Sequence, residues 1–470
     1  MNNFFDKLHE ECGIVGIYSK TYQHLGPLIY DALISLQHRG QESAGIAVYH
    51  EGVMMHYKNM GLVRDVFNEE NLRPFNGNVG IGHCRYSTIG SAERRNAQPL
   101  VVEFKAGTMA LAHNGNLINA VQIRGELIDE GFSFTSTSDS EIIIKLIAIH
   151  YKGNPLEAIK KALAQVEGGY ALVLIVEGKL YGIRDPYGLR PLVLGQTKKG
   201  DYILASETVA LDLLEATFIR DVDKGEIIEI DDSGYHSHYF DTTKPMNLCG
   251  FEFVYFSRPD SDLAGKNVYQ VRVELGKILA RGDKEKYDLV AAVPESGVPA
   301  AIGYAIESDT VYSSVFIKNK YIGRTFTDPT QEGRERMLRL KLSILKSNIQ
   351  GKRIVIVDDS IVRGTTLRSI IFELKKAGAK EVHVRISSPP VGFSCFFGID
   401  TPSKKSLIAA NMSVEEIEEY IGADSLRFLT SDEFVEGVGL PEDSLCKACF
   451  SGEYPMKVPK THNKYVFEKY

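Results

Sequence analysis

The sequence has no tryptophan, no surplus of basic charge, no internal repeat and no low-complexity tract. It also lacks any apolar run of the roughly eighteen or more residues that a membrane-spanning helix needs, so none is expected. The missing tryptophan excludes nothing. Lys and Arg total 54 against 61 Asp and Glu, a net charge of −7, with a pI near 6.0. That balance gives no global electrostatic case for nucleic acid or an anionic membrane as partner. The opening residues, MNNFFDKLHEECG, have neither the basic segment nor the apolar core of an export signal, so a soluble cytoplasmic protein is expected. Cysteine is scarce: Cys12, Cys84, Cys249, Cys395, Cys446 and Cys449 are the six. Without export, disulfides are not their expected use, which leaves catalysis or metal ligation.

What is present is 470 residues with 44% hydrophobic content, enough for two cores. The rest of the chain is organised around Arg353 to Thr366, RIVIVDDSIVRGTT. Arg353 to Val357 read as a buried parallel strand. Two carboxylates follow, Asp358 and Asp359, then a loop containing Ser360, Arg363, Gly364, Thr365 and Thr366. A helix opens next, with Leu367, Ile370, Ile371 and Leu374 on one face and Gly378 at its end. Strand, loop and helix in that order aim backbone N–H groups at a phosphate, while carboxylates at the strand end take ribose hydroxyls or a divalent cation. Taken without the rest of the loop, strand plus Asp-Asp is equally a solvated acidic turn. The ordered run through Gly-Thr-Thr resembles the phosphoribosyl pyrophosphate (PRPP) motif of type I phosphoribosyltransferases.

Upstream, Cys12 opens a predicted strand, and residues 25 to 38 form an amphipathic helix. Short β-like segments recur at Gly45–His50, Val53–Met60, Val79–His83, Thr108–His113, Tyr170–Val176, Leu180–Arg184 and Tyr202–Ser206, with helices at Ser140–Ile149 and Pro155–Val166. This mixture predicts a layered α+β domain ending near residue 240 and a polar linker over Asp241–Asn247. Beyond it, strands at Leu289–Val293, Thr310–Phe316 and Glu381–Ser387 predict a parallel α/β domain, and residues 456–470 a loose polar tail.

Cleavage after Glu11 would make Cys12 N-terminal, so that its own α-amine serves as general base. Farther on come Gly82-His-Cys-Arg85-Tyr-Ser-Thr88, His113-Asn-Gly-Asn116 and Ser138-Asp-Ser-Glu141. An arginine holds a carboxylate bidentately, an aspartate pairs with an ammonium, and an Asn amide beside a Gly N–H forms an oxyanion hole. In this order the motifs resemble the class II glutamine amidotransferases, which are N-terminal nucleophile (Ntn) hydrolases. The resemblance implies a four-layer αββα domain, Cys12 as nucleophile, Arg85 for the glutamine carboxylate, Asn114 and Gly115 for the oxyanion, and Asp139 for the glutamine amine. Cys84 is read as a buried neighbour without a catalytic role.

Between the halves, Lys318 to Lys341 carries seven basic and three acidic residues, net +4 in a chain of −7. A charge run is ordinarily a solvated face, but here Gly323 and Gly333 interrupt it and a pyrophosphate would be a fitting acceptor. Pro294-Glu-Ser-Gly, at another strand end, presents backbone N–H groups for the same ligand. From Cys12 to Cys449 the motif order resembles the glutamine phosphoribosylpyrophosphate amidotransferases, in the subgroup made with a propeptide (residues 1–11) and an iron–sulfur cluster. That family implies a glutaminase domain over 12–240, a phosphoribosyltransferase domain over 248–455, and ammonia passed between them to make 5-phosphoribosylamine for purine synthesis. PRPP is expected at Glu295, Ser296, Lys320, Tyr321, Arg324, Asp358, Asp359, Ser360, Arg363, Gly364, Thr365 and Thr366, with one Mg²⁺ per subunit at Ser296, Asp358 and Asp359. Glu295 stands where relatives are expected to have Asp. By residue type alone, Cys249, Cys395, Cys446 and Cys449 suit zinc or iron–sulfur equally; the resemblance implies one [4Fe-4S] cluster. It further implies a homotetramer and inhibition by purine nucleotides. The competing reading is a PRPP-binding regulator without catalysis, which would have no need of Cys12, Arg85, Asn114, Gly115 and Asp139.

Overall fold

A computed structural model describes residues 12–87, 89–319, 342–459 and 465–468. The expected propeptide, Lys320, Tyr321 and Arg324 lie outside the described residues, as does nearly all of the basic segment.

Two antiparallel sheets form the first half. One has seven strands in the order Ala216–Asp221, Val193–Thr197, Tyr202–Ala205, Gly13–His24, Asn76–Arg85, Ser43–His50 and Val53–Met60. The other has six, in the order Gly234–Tyr239, Glu226–Asp231, Lys179–Arg184, Gly168–Val176, Gly107–Leu117 and Leu100–Phe104. Strand alternation assigns each face its partner. Ile14 and Tyr18 pack into a core shared with Ala110, Ala112, Val173 and Ile175 of the second sheet. Val15 and Ile17 point the other way, onto Ile29 and Leu33 of the helix Leu25–Ser35. On the outer face of the second sheet, Met109, Leu111, Leu172 and Leu174 pack with the helices Ala120–Asp129, Ser140–His150 and Pro155–Leu163. The layers are α, β, β, α, as the resemblance implied.

The second half is built on a four-stranded parallel sheet in the order Leu289–Ala292, Arg353–Asp358, Glu381–Ile386 and Ser425–Phe428. Both faces are covered, which is why these strands read as unbroken apolar runs. Val290, Ala292, Val355 and Val357 face a core with the helices Val268–Arg281, Val298–Glu307 and Ser431–Val438. Leu289, Ala291, Ile354 and Ile356 face the helices Thr365–Lys376 and Val414–Ile421.

Two expectations need correction. No continuous strand runs over Thr310–Phe316: Tyr312 makes a single parallel bridge to Val290, and a separate strand, Phe316–Lys318, pairs with Leu342–Ile344. The polar pair Ser313–Ser314 leaves too little apolar alternation to hold the segment on the sheet. Within the expected loose tail, the described turn Tyr465–Glu468 is seated, with Phe467 buried in the helical layer of the first half.

Candidate active site

Gly13 pairs with Cys84 in antiparallel register, so Cys12 stands opposite Arg85, the last residue of its neighbouring strand. The Cys12 thiol is buried and donates to the Tyr86 carbonyl at 3.4 Å. Burial pushes its pKa up to about 11; the Arg85 guanidinium works against the rise, while the Glu42 and Asp139 carboxylates add to it. The thiol is therefore neutral near pH 7 and must lose its proton to a base during attack. Two histidines lie on nearby strands. Burial lowers the His83 pKa to about 3 and lowers that of His113. Both rings are held: His83 Nε2 meets the His113 carbonyl at 3.1 Å, and His113 Nδ1 meets Ser140 Oγ at 2.9 Å. Burial thus disfavours the charged form of both rings.

Arg85 is wrapped by the loop after it. Its Nη1 donates to Ser87 Oγ at 2.7 Å and the Ser91 carbonyl at 3.2 Å, and its Nη2 to the Ile89 carbonyl at 3.0 Å. The Glu42 carboxylate accepts from the Ser87 N–H at 2.9 Å and also acts on both Arg85 and Cys12 through its charge. Asp139 is buried and accepts from the Leu117 N–H at 2.9 Å, two residues beyond Gly115. Asn114 is fully buried, and neither atom of its amide has a hydrogen-bond partner among the described residues. An unpaired buried amide is costly, so its retention marks a group kept for a ligand. Gly115 has φ +144°, and a Cβ there would stand 2.0 Å from the Gly169 carbonyl oxygen. Only glycine fits.

In the second half the strand Arg353–Asp358 delivers its carboxylates to the sheet's carboxyl edge. Asp358 Oδ1 accepts from the Asp359 N–H at 2.9 Å, and Asp359 Oδ1 accepts from Ser360 Oγ at 2.6 Å. Both aspartates are buried, whereas Arg363 and Thr365 are exposed at the loop surface. Gly364, at φ +78°, turns the chain into the helix Thr365–Lys376. The Pro294–Gly297 turn lies against this strand end: a Cβ on Gly297 would sit 2.5 Å from the Val357 carbonyl oxygen. Glu295 is exposed and pairs with Lys318 Nζ at 3.3 Å. This arrangement brings Ser296 and the Asp358–Thr366 loop to one edge.

The two halves share charges that sequence reasoning missed. Arg39, within a Gln37-His-Arg-Gly-Gln stretch that carried no signal by itself, is wholly buried and grips Glu252 with Nη2–Oε1 at 2.6 Å and Nη1–Oε2 at 3.1 Å. Its Nε donates to the Cys12 carbonyl at 3.3 Å. Glu252 also accepts from Ser257 Oγ at 2.6 Å, and the Ser257 carbonyl accepts from Arg272 at 2.8 Å. The Asp359 charge acts on Arg272 in turn. A chain of buried polar interactions thus runs from the Cys12 backbone toward the Asp358–Asp359 carboxylates.

Cys249 and Cys446 lie directly opposite each other on paired parallel strands; the Cys395 charge acts on both, and Cys446 and Cys395 act on Cys449. All four are buried. The loop carrying Cys395 abuts the first half: the Phe396 carbonyl accepts from Asn116 Nδ2 at 2.9 Å, and the Phe397 carbonyl from Arg190 Nε at 2.7 Å.

Residues 83–213 match the glutamine amidotransferase domain family, and residues 264–387 the phosphoribosyl transferase domain family. The amidophosphoribosyltransferase of Methanothermobacter thermautotrophicus is 45% identical, over 98% of this chain and 97% of its own. That of Synechocystis sp. is 48% identical, over 97% and 92%. The chain belongs to the amidophosphoribosyltransferase family. Solved structures agree in fold. The glutamine PRPP amidotransferase from B. subtilis, complexed with ADP and GMP, superimposes with a TM-score of 0.90 at 42% identity, covering 96% of this chain and 99% of that one. A structure described as the allosteric regulatory enzyme of purine biosynthesis gives 0.91, also at 42% identity, covering 96% and 98%. A glutamine amidotransferase half joined to a phosphoribosyltransferase half is thus the family's architecture. Among the described residues no helix is long and apolar enough to cross a membrane.

Proposed function

We propose that this chain makes 5-phosphoribosylamine from PRPP and glutamine, the step that commits PRPP to purine synthesis. The observation that carries the proposal is the buried Asn114 amide, without a hydrogen-bond partner among the described residues and next to Gly115 in the chain, together with a buried Cys12 thiol that feels the charges of Arg85 and Asp139. In this reading residues 12–240 form the glutaminase and residues 248–455 the phosphoribosyltransferase. Arg85 holds the glutamine carboxylate and Asp139 its ammonium. The Cys12 sulfur attacks the side-chain amide carbon while the Cys12 α-amine takes the thiol proton. Asn114 Nδ2 and the Gly115 N–H receive the oxyanion. The amine returns the proton to the leaving nitrogen, ammonia departs, and water then releases glutamate from the thioester. Ammonia passes between the domains and displaces pyrophosphate at the anomeric carbon of PRPP. Equal yields of pyrophosphate and glutamate from PRPP and glutamine test the whole; pyrophosphate without glutamate overturns it.

On the PRPP side the Asp358 and Asp359 carboxylates take the ribose hydroxyls, and the Ser360–Thr366 loop takes the 5′-phosphate at the start of its helix. Glu295, Ser296, Lys320, Tyr321 and Arg324 complete the proposed contacts. Magnesium characteristically uses one or two protein carboxylates together with substrate phosphates, so Asp358, Asp359 and Ser296 fit it without a protein cage. When bound, it neutralises the leaving pyrophosphate. Purine nucleotides are proposed to compete at this pocket, and the assembled state is proposed to be a homotetramer. A regulator without catalysis has no use for the thiol pocket.

For Cys249, Cys395, Cys446 and Cys449 we favour a [4Fe-4S] cluster, which places the chain in the iron–sulfur subgroup. Among the described residues no three His, Cys, Asp or Glu side chains are set to share a single ion. The thiols do act on one another's charges, and burial pushes Cys446 up to about 12, so binding must drive off their protons. Cys395 Sγ also accepts from the Phe397 N–H at 3.3 Å, a bond suited to a cluster sulfur. Such a cluster ties residues distant in sequence into one core. Protein purified without oxygen is expected to be brown and to contain iron and sulfide, both lost in Cys446→Ser. Stoichiometric zinc with no visible absorbance overturns the assignment.

The base assignment gives a pH prediction. An α-amine must be deprotonated to act, so glutaminase kcat/KM is expected to rise with pH through one ionisation near ~8. Intact mass is expected to show loss of residues 1–11. An inflection near ~6.5 points to histidine and overturns the assignment, as does an active protein that retains Met1 to Glu11.

A further inference from the structure

The turn Tyr465–Glu468 is the last described part of the chain, and it sits on the glutaminase half. Phe467 is buried there, and the Arg124 guanidinium lies over both the Phe134 ring at 4.0 Å and the Phe467 ring at 4.6 Å. This seating aims the next side chain. Glu468 Oε1 accepts from the Ser91 N–H at 2.7 Å and from Thr137 Oγ1 at 2.6 Å, and Oε2 accepts from Arg95 Nη2 at 2.9 Å.

Those partners belong to two separate loops. Ser91 ends the loop that wraps Arg85, and its carbonyl accepts from Arg85 Nη1 at 3.2 Å and Asn96 Nδ2 at 2.9 Å. Thr137 lies two residues before Asp139, and its N–H donates to Asn96 Oδ1 at 2.8 Å. The loops also touch directly, since a Cβ on Gly90 would stand 2.7 Å from the Thr137 carbonyl oxygen. One carboxylate oxygen therefore bridges the two loops, joining Ser91, whose carbonyl holds Arg85, to Thr137, two residues before Asp139. An α-amino acid is recognised by two charges a fixed distance apart, so the spacing of Arg85 and Asp139 sets how well it binds.

We infer that Glu468 is a positioning residue for glutamine: by pinning Ser91 to Thr137 it fixes the distance between the groups that hold the substrate's carboxylate and ammonium. This rests on the assignment of Arg85 and Asp139 to glutamine. Glu468 touches neither substrate nor thiol, so it governs binding and leaves the chemical step alone. Its amide counterpart keeps the essential geometry, because an amide oxygen still accepts from Ser91 and Thr137. Only the ion pair to Arg95 is lost, and at 46% side-chain exposure that pair contributes little.

The test is steady-state glutaminase and ammonia-dependent synthesis with the full chain. Glu468→Ala is expected to raise KM for glutamine about tenfold, as for loss of a charge-assisted hydrogen bond, with kcat and ammonia-dependent synthesis unchanged. Glu468→Gln is expected to stay within about twofold of wild type. Thr137→Val, which removes the hydroxyl from the other side, is expected to raise KM in the same direction. An unchanged KM in Glu468→Ala or Thr137→Val overturns the inference, and so does a Glu468→Gln variant as impaired as the alanine. Arg85→Lys separates the two levels. If it too leaves KM unchanged, the glutamine assignment has failed; if it raises KM while Glu468→Ala does not, only the positioning role has failed.

Discussion

Cys12→Ala is expected to abolish glutamine-dependent synthesis, by at least about 10³-fold, while synthesis from ammonia continues near the wild-type rate. The sulfur is the only proposed nucleophile for the amide, and Arg85, Asn114 and Asp139, proposed to hold glutamine, supply no nucleophile of their own. The second reaction needs only ammonia, PRPP and the carboxyl edge of the parallel sheet, none of which includes Cys12. The substitution is also mild for the fold, since among the described residues the thiol's hydrogen bond to the Tyr86 carbonyl is long at 3.4 Å. Rates with glutamine and with ammonium salt, side by side, decide the matter. Loss of both in a folded variant would show that the two reactions cannot be divided.

Asn114→Ala is expected to lower glutaminase kcat by roughly 10²–10³-fold with little change in KM or in thermal unfolding midpoint. The argument is again from partners. Because neither amide atom is bonded among the described residues, removing them breaks no internal hydrogen bond. In the proposed oxyanion role the donor is used only when charge develops on the substrate oxygen, so its loss would fall on the chemical step. Gly115 presents the opposite case: any side chain there must displace the Gly169 backbone, so its replacement disturbs the sheet before the chemistry. A KM effect without a kcat effect in Asn114→Ala would move that residue from the oxyanion to ground-state binding.

Chemistry that is contiguous in sequence was legible. Asp358 to Thr366, His113 to Asn116 and Ser138 to Glu141 each carry their residue types in one stretch; the structure sets the first at a strand-to-helix junction, the second near a strand end and the third at the start of a helix. The two layered architectures were legible for a related reason, since strand alternation and unbroken apolar runs are local consequences of one-sided or two-sided burial. Groups whose partners lie far off could not be read. Glu42 is an ordinary acid until Ser87 and Arg85 fold over it, and Glu468 meets Ser91 across 377 residues. The edge strand Gly234–Tyr239 escaped notice because its exposed serine and histidines give little apolar signal. Thr310–Phe316 erred the other way, having β-like composition without a full partner strand. The expected contacts of Lys320, Tyr321 and Arg324 fall outside the described residues.

The buried clasp between Arg39 and Glu252 also bears on the ancestry of the molecule. Each half matches its own domain family, so the chain looks like two inherited parts joined end to end. The guanidinium is supplied by the first part and a carboxylate that neutralises it by the second, with both side chains fully out of solvent. A first half released at the linker would leave Arg39 with Glu207 alone, the carboxylate of its own half that also grips Nη1, while Glu252 in the second half would lose its guanidinium partner. Once such a charge is shared, descent can no longer pull the parts apart one at a time, and they persist or vanish as a single heritable unit.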